Sequence, residues 1–174
     1  MAATYRVWAQ DVVFAANKTM VCVFNGTGTG VTIKPYRMFI YNIQQVAVSG
    51  VLTNLEIRKI TAASGGTTLT PVAHVSNSAA LGANVVIGTN QTVTPTDIYR
   101  RIIWSTDEPT ATASVAVTLD EFELIHPFCC IWSQGYADTT IDPITLNANN
   151  EGIAIINTGA LVGQCDLMIE FTAA

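Results

Sequence analysis

The chain has a few places where side chains suited to chemistry lie close together. His126-Pro127-Phe128-Cys129-Cys130 sets an imidazole beside two thiols, ligand types that zinc prefers. Neighbouring residues on a strand point to opposite faces, so the two sulfurs do not converge on one ion, and the chain has no Cys-x-x-Cys pair. His74 and His126 are its only histidines, too few for a zinc set without distant help. Acid–base chemistry can be sketched only around His126 with Glu121 and Glu123. Ser133-Gln134-Gly135 comes nearest to a nucleophile turn, but it lacks the leading glycine and the helix behind it. Asp120-Glu121-Phe122-Glu123, and the pair Asp138 and Asp142, offer oxygens at a lower density than a calcium loop. Both read as solvated strand ends. The glycine-rich run at 25–30 ends in Val31-Thr32-Ile33-Lys34-Pro35, an extended sequence, where a phosphate loop needs Gly-Lys-Ser/Thr opening a helix. The expectation is a protein that is not an enzyme, with no metal and no cofactor.

What remains is contact chemistry. Tyr5, Trp8 and Phe14 stand near the N-terminus and flank Asp11. Aromatic side chains anchor docking segments because they bury much area at little entropic cost. Residues 1–18 therefore read either as an arm that docks on a partner or as a first strand whose aromatics join its own core. On the first reading Tyr5, Trp8 and Phe14 are the candidate contact residues.

The elements behind these residues are strands. Apolar residues at helical spacing over ten or more positions are not found, and short β-branched runs alternate with turn residues. The runs are 5–14, 19–24, 38–48, 52–60, 70–75, 85–93, 98–106, 113–118, 122–125, 131–136, 144–146, 152–157 and 165–172, with one helical turn conceivable at 78–81. The last run alternates cleanly: Leu167, Ile169 and Phe171 on one face, Asp166, Met168, Glu170 and Thr172 on the other. One domain of 174 residues built from such strands suits two packed antiparallel sheets, and a jelly-roll-like all-β sandwich over 19–174 is the expected fold. An immunoglobulin-type sandwich fits less well, since the Cys-Trp-Cys order is absent.

Composition narrows the partners. Hydrophobic residues make up 49% of the chain and charged ones only 12%, about half the usual share. No apolar run is long enough to span a bilayer, and disorder needs the opposite composition. The net charge of −5 and only eight Lys plus Arg leave no basic stripe, which argues against nucleic acid and anionic membranes. The N-terminus shows no basic region before an apolar run, so Cys22, Cys129, Cys130 and Cys165 are expected to be free thiols from a reducing cytoplasm, with Cys129 and Cys130 buried in apolar strands. Residues 60–96 carry no Asp, Glu, Lys or Arg. Hydroxyls and amides replace charge there, as expected of a surface that lies against another subunit.

From Met38 onward a soft pattern of turns and strands carries a resemblance. It runs through Leu55-Glu56-Ile57-Arg58-Lys59-Ile60, Ser64-Gly65-Gly66-Thr67-Thr68-Leu69-Thr70-Pro71-Val72 and Ser76-Asn77-Ser78-Ala79-Ala80. It closes with Asp142-Pro143-Ile144-Thr145-Leu146, Asn150-Glu151-Gly152-Ile153-Ala154-Ile155 and the last strand. Over about three quarters of its length the chain resembles the β-sandwich head decoration, or cement, proteins of tailed bacteriophages. That resemblance implies a jelly-roll-like fold, homotrimers, and placement on an icosahedral capsid against the major capsid protein after synthesis in the host cytoplasm. It brings no catalytic residues and does not extend to the N-terminal segment or the cysteine pair. The alternative is a trimeric tail-fibre or spike module that binds a host glycan, with Trp104, Trp132 and Tyr136 as stacking residues.

Overall fold

The computed structural model describes residues 2–43, 52–105, 128–134, 142–159 and 163–174. These contain strands and turns and no helix. The strands are β1 (Ala3–Val13), β2 (Lys18–Asn25), β3 (Ile33–Asn42), β4 (Leu52–Ser64), β5 (Thr67–Thr68), β6 (Val72–Ala73), β7 (Val85–Thr89), β8 (Thr92–Ser105), β9 (Phe128–Ser133), β10 (Glu151–Asn157) and β11 (Gln164–Ala173). They form two antiparallel sheets, one ordered β6-β1-β11-β3-β9 and the other β5-β7-β2-β10-β4-β8. We call these sheet A and sheet B.

Alternation decides which side chains face inward. Val7 and Ala9 of β1, Met38 and Ile40 of β3, and Leu167, Ile169 and Phe171 of β11 supply sheet A's share of the main core. Val21 and Val23 of β2, Leu55 and Ile57 of β4, and Ile153 and Ile155 of β10 supply sheet B's share of the same cluster. One continuous apolar core therefore joins the two sheets, each strand giving every second residue. The alternation read in the last strand holds in β11, where Leu167, Ile169 and Phe171 are fully buried.

Sheet B has a second apolar cluster on its other face: Cys22, Phe24, Ile60, Ala154 and Ile156, with Ala63, Val86 and Val93 packed against them. Its cover is the far end of the β4–β8 ribbon. The two strands stay paired out to Ser64 opposite Thr92, with three register shifts after Ile57, and β5 just beyond pairs with β7. The bulges bend the ribbon across β10 and β2. Gly66 makes the closing turn, at φ 65° and with the Thr89 carbonyl 2.3 Å from where a Cβ would stand.

Of the two readings of residues 1–18, the segment holds the first strand, paired along most of its length with β11, and is part of sheet A. Several other elements differ from their sequence reading. β3 begins before Pro35, which sits beside a bulge where a missing N–H is tolerated. The run at 85–93 divides into β7 and the start of β8, because Asn90 adopts the left-handed conformation at φ 56° and turns the chain. Residues 144–146 make only a bridge, Leu146 to Ile33. No helical turn forms at 78–81. The runs at 113–118 and 122–125, with Asp120, Glu121, Glu123, His126, Tyr136 and Asp138, lie outside the described residues.

Candidate functional site

The three N-terminal aromatics part company. Tyr5 is 5% exposed and Phe14 2% exposed. Tyr5 lies directly across from Phe171 and stacks on it, centroids 5.6 Å apart, and its hydroxyl donates to the Ala79 carbonyl at 2.5 Å. It thus ties the charge-free loop after β6 to the core. The backbone N–H of Phe14 donates to the Gly163 carbonyl at 2.8 Å, beside the end of β1. Both rings lie in the main core, as the first-strand reading of residues 1–18 has it. β1 is an inner strand of sheet A, so its inward positions are spent on the core.

Trp8 points the other way and is 39% exposed. Sheet register builds a cluster around it. Trp8, Met168 and Phe39 share one row across β1, β11 and β3, and Phe39 continues to Cys130 on β9. Tyr41, opposite Asp166, fills the next position. The Trp8 and Tyr41 rings stack with centroids 4.9 Å apart and planes 26° from parallel, and Phe39 lies 6.3 Å from Tyr41. The Asp166 carboxylate accepts the Trp8 Nε1–H at 3.1 Å and the Asp11 backbone N–H at 2.9 Å. Asp11 stands at φ 51° in a bulge of β1 that this bond holds in place.

A charged row runs alongside. Glu170 lies between Arg6 and Arg37 across the three strands, and its carboxylate meets Arg37 Nε at 2.9 Å and His74 Nε2 at 3.7 Å. Burial first, then the charges of Glu170 and Cys130, raises the Tyr41 phenol above its usual range, so it stays a neutral donor. The outer face of sheet A thus carries an ordered aromatic cluster with a charged border.

The cysteines also divide. Cys22 and Cys165 are buried free thiols, whereas Cys129 is half-buried and Cys130 exposed, which corrects the expectation that this adjacent pair is buried. Desolvation, reinforced by Cys130 and opposed by Arg100, raises the Cys129 thiol. Among the described residues no group of three or more His, Cys, Asp or Glu is placed to hold a metal ion. Trp104 is buried, and Trp132 is half-buried with its ring 6.2 Å from Tyr99, so these two do not form an open stacking surface.

Sequence reasoning singled out Trp8 and missed Phe39, Tyr41, Met168 and Asp166. The signal was the phase of alternation: Met38 and Ile40 belong to the core, so Phe39 and Tyr41 must face out. No family model, curated protein or solved structure matches the chain.

Proposed function

We propose that the protein is a structural virion protein, a decoration or cement protein that binds and stabilises the icosahedral head of a tailed phage without chemistry. It docks on the major capsid protein through the outer face of sheet A, with Trp8 as anchor, and works as a homotrimer.

The observation that carries this reading is the state of Trp8. An exposed indole is usually mobile; this one is stacked on Tyr41 and hydrogen-bonded to Asp166 while its remaining surface is open. A ring fixed before binding loses little entropy on binding, and pre-ordered Trp and Tyr beside Arg are the residue types that dominate interface energies. The strand order supports a jelly roll. Without the short β5, β6 and β7, the sheets read β1-β11-β3-β9 and β2-β10-β4-β8, so among these strands the chain changes sheet at every step except β4 to β8, an order compatible with the paired Greek keys of capsid domains. The charge-free segment supports subunit contact. Within residues 61–84 no side chain is buried, and Val72 and Val75 are exposed in the single chain. A closed trimer uses contact patches apart from the capsid-facing surface, and this segment, distinct from the outer face of sheet A, is one such patch.

The test is reconstitution. Purified protein is added to phage shells that lack it, and bound copies and shell stability are measured, with light scattering giving the oligomeric state. Trimers that bind and raise the shell's melting temperature are expected. A monomer with no affinity for shells would overturn the reading.

A further inference from the structure

Two apolar patches lie at opposite edges of sheet B, one raised and one hollow. Among the described residues β8 is the outermost strand at one edge, and β5 and β7 lie at the other. On β8, Ile103 is 67% exposed and Ile98 46%. They stand opposite Asn54 and Arg58, on the same outer face as Arg101, which lies opposite Glu56. Arg101, between them on this face, is already paired with Glu56 at 2.6 Å. Exposed Leu52 lies diagonally across from Ile103, and exposed Tyr99 follows Ile98. Single apolar side chains in water are ordinary, but a contiguous group marks an interaction surface.

At the other edge the chain crosses between the sheets twice, through residues 69–71 from β5 to β6 and through 74–84 from β6 to β7. The second crossing holds Ser78-Ala79-Ala80-Leu81-Gly82-Ala83, and its small side chains do not fill the space over Tyr5 and Ile87. A hollow of about 370 Å³ results, with Leu69, Pro71 and Val85 in its wall and no charged side chain in its lining. Val72 and Val75 are exposed beside it. An apolar cavity of roughly 150 Å³ already admits a benzene ring, so this one has room for an isoleucine side chain.

We propose that Ile103 and Ile98 of one copy insert into the hollow of the next, so that the homotrimer is held by head-to-tail contacts between these two patches. The inference rests on the trimer reading for its stoichiometry and adds the surfaces that meet. Three features select the pairing. A charged group entering the hollow would lose its hydration and find no partner, so the occupant is aliphatic. Patches at opposite edges cannot both be used in one two-fold contact, which leaves the head-to-tail arrangement that closes rings. Direct strand pairing along β8 is opposed by its bulges. Ile57 lies opposite Arg100 and Arg58 opposite Ile98, so Tyr99 is an extra residue that breaks the ladder edge, and β8 offers side chains where a flat strand would offer backbone.

The test uses the full chain and measures mass by sedimentation and light scattering over a concentration series. Ile103→Glu and Ala80→Glu both change exposed positions, and their melting curves report folding. Each should weaken self-association by about 30-fold or more, because each places a carboxylate in the contact. An equimolar mixture of the two should form a 1:1 dimer. Ile103 of the Ala80→Glu chain still fits the hollow of the Ile103→Glu chain, while the reverse contact is blocked on both sides. Wild-type association in either folded variant would overturn the proposal and leave the trimer reading standing. A mixture that stays monomeric would overturn the pairing of these two patches. A wild-type chain that is monomeric at every concentration would overturn the trimer itself and this contact with it.

Discussion

Trp8 and Tyr41 stack at 4.9 Å although β11 runs between their strands. Their rings meet above Met168 and Asp166, the β11 residues that lie opposite them in register. The contact crosses two strand spacings, so it depends on long side chains leaning toward each other, and Asp166 fixes the lean by accepting the indole N–H. Trp8→Ala is expected to weaken shell binding by about 30-fold or more, the loss typical of a central Trp anchor. It should lower the melting temperature by only about 2–4 °C, because the ring is already partly in solvent. Tyr41→Ala should weaken binding less, by freeing Trp8. A double-mutant cycle on stability should give a coupling of about 0.5–1.5 kcal/mol between the two rings. Shell binding unchanged by Trp8→Ala would remove sheet A's outer face from the interface.

Glu56 tests how the outer face of sheet B tolerates a buried charge. Its carboxylate is almost fully buried, held by Arg101 through Nε at 2.9 Å and Nη2 at 2.6 Å, with Arg58 at 3.4 Å. Arg101→Ala leaves the carboxylate with one weaker partner and should cost about 1–3 kcal/mol in urea unfolding, more than an ordinary surface pair. Replacing both residues with leucine should cost less than the single change, because no charge is left to desolvate. A larger cost for the double variant would show that the ion pair itself stabilises the sheet.

How much of this was legible depended on whether a signal was local. The final strand could be read because Leu167, Ile169 and Phe171 alternate without a break. Tyr5 and Trp8, three positions apart on an unbroken stretch, fall on opposite faces by alternation, but Phe14, six positions after Trp8, shares its phase in the sequence and is turned inward only by the bulge between Ala9 and Val12. The turn at Asn90 was hidden inside a β-branched run, because a single residue at positive φ leaves no mark on hydropathy. The second apolar cluster was out of reach. Ile60, Ala63 and Val93 look like ordinary strand positions, and only the long-range closure of β5 on β7 shows that they cover Cys22 and Ile156.

That closure makes Gly66 a sensitive position. Its φ of 65° disfavours any side chain, and an added Cβ would also meet the Asn90 backbone at 2.7 Å. Gly66→Ala should destabilise by about 2 kcal/mol or more, whereas Gly65→Ala, at φ 68° with open space around it, should cost about 1 kcal/mol from conformation alone. Thermal unfolding of the two variants side by side separates clash from strain. Equal losses would mean that the ribbon does not close on β7.

Alkaline pH probes the cluster that the ribbon covers. Burial pushes the Cys22 thiol from 9.0 up to about 12, offset in part by a hydrogen bond with the Gly88 backbone. Cys165, in the main core, is pushed up further by the same desolvation and by Asp166. The folded chain therefore keeps protons that the unfolded chain releases above pH 9. Stability from each thiol is complete below that pH and falls as pH rises toward the folded value, by about 1.4 kcal/mol per pH unit per thiol. Urea midpoints measured from about pH 8 to 10.5 should decline, and Cys22→Ala should remove one thiol's share of the slope. The variant will be less stable than the wild type near neutral pH and will close part of that gap as pH rises. A wild-type slope in Cys22→Ala would mean that the Cys22 thiol ionises freely, and so that the β4–β8 ribbon leaves the second cluster open to water.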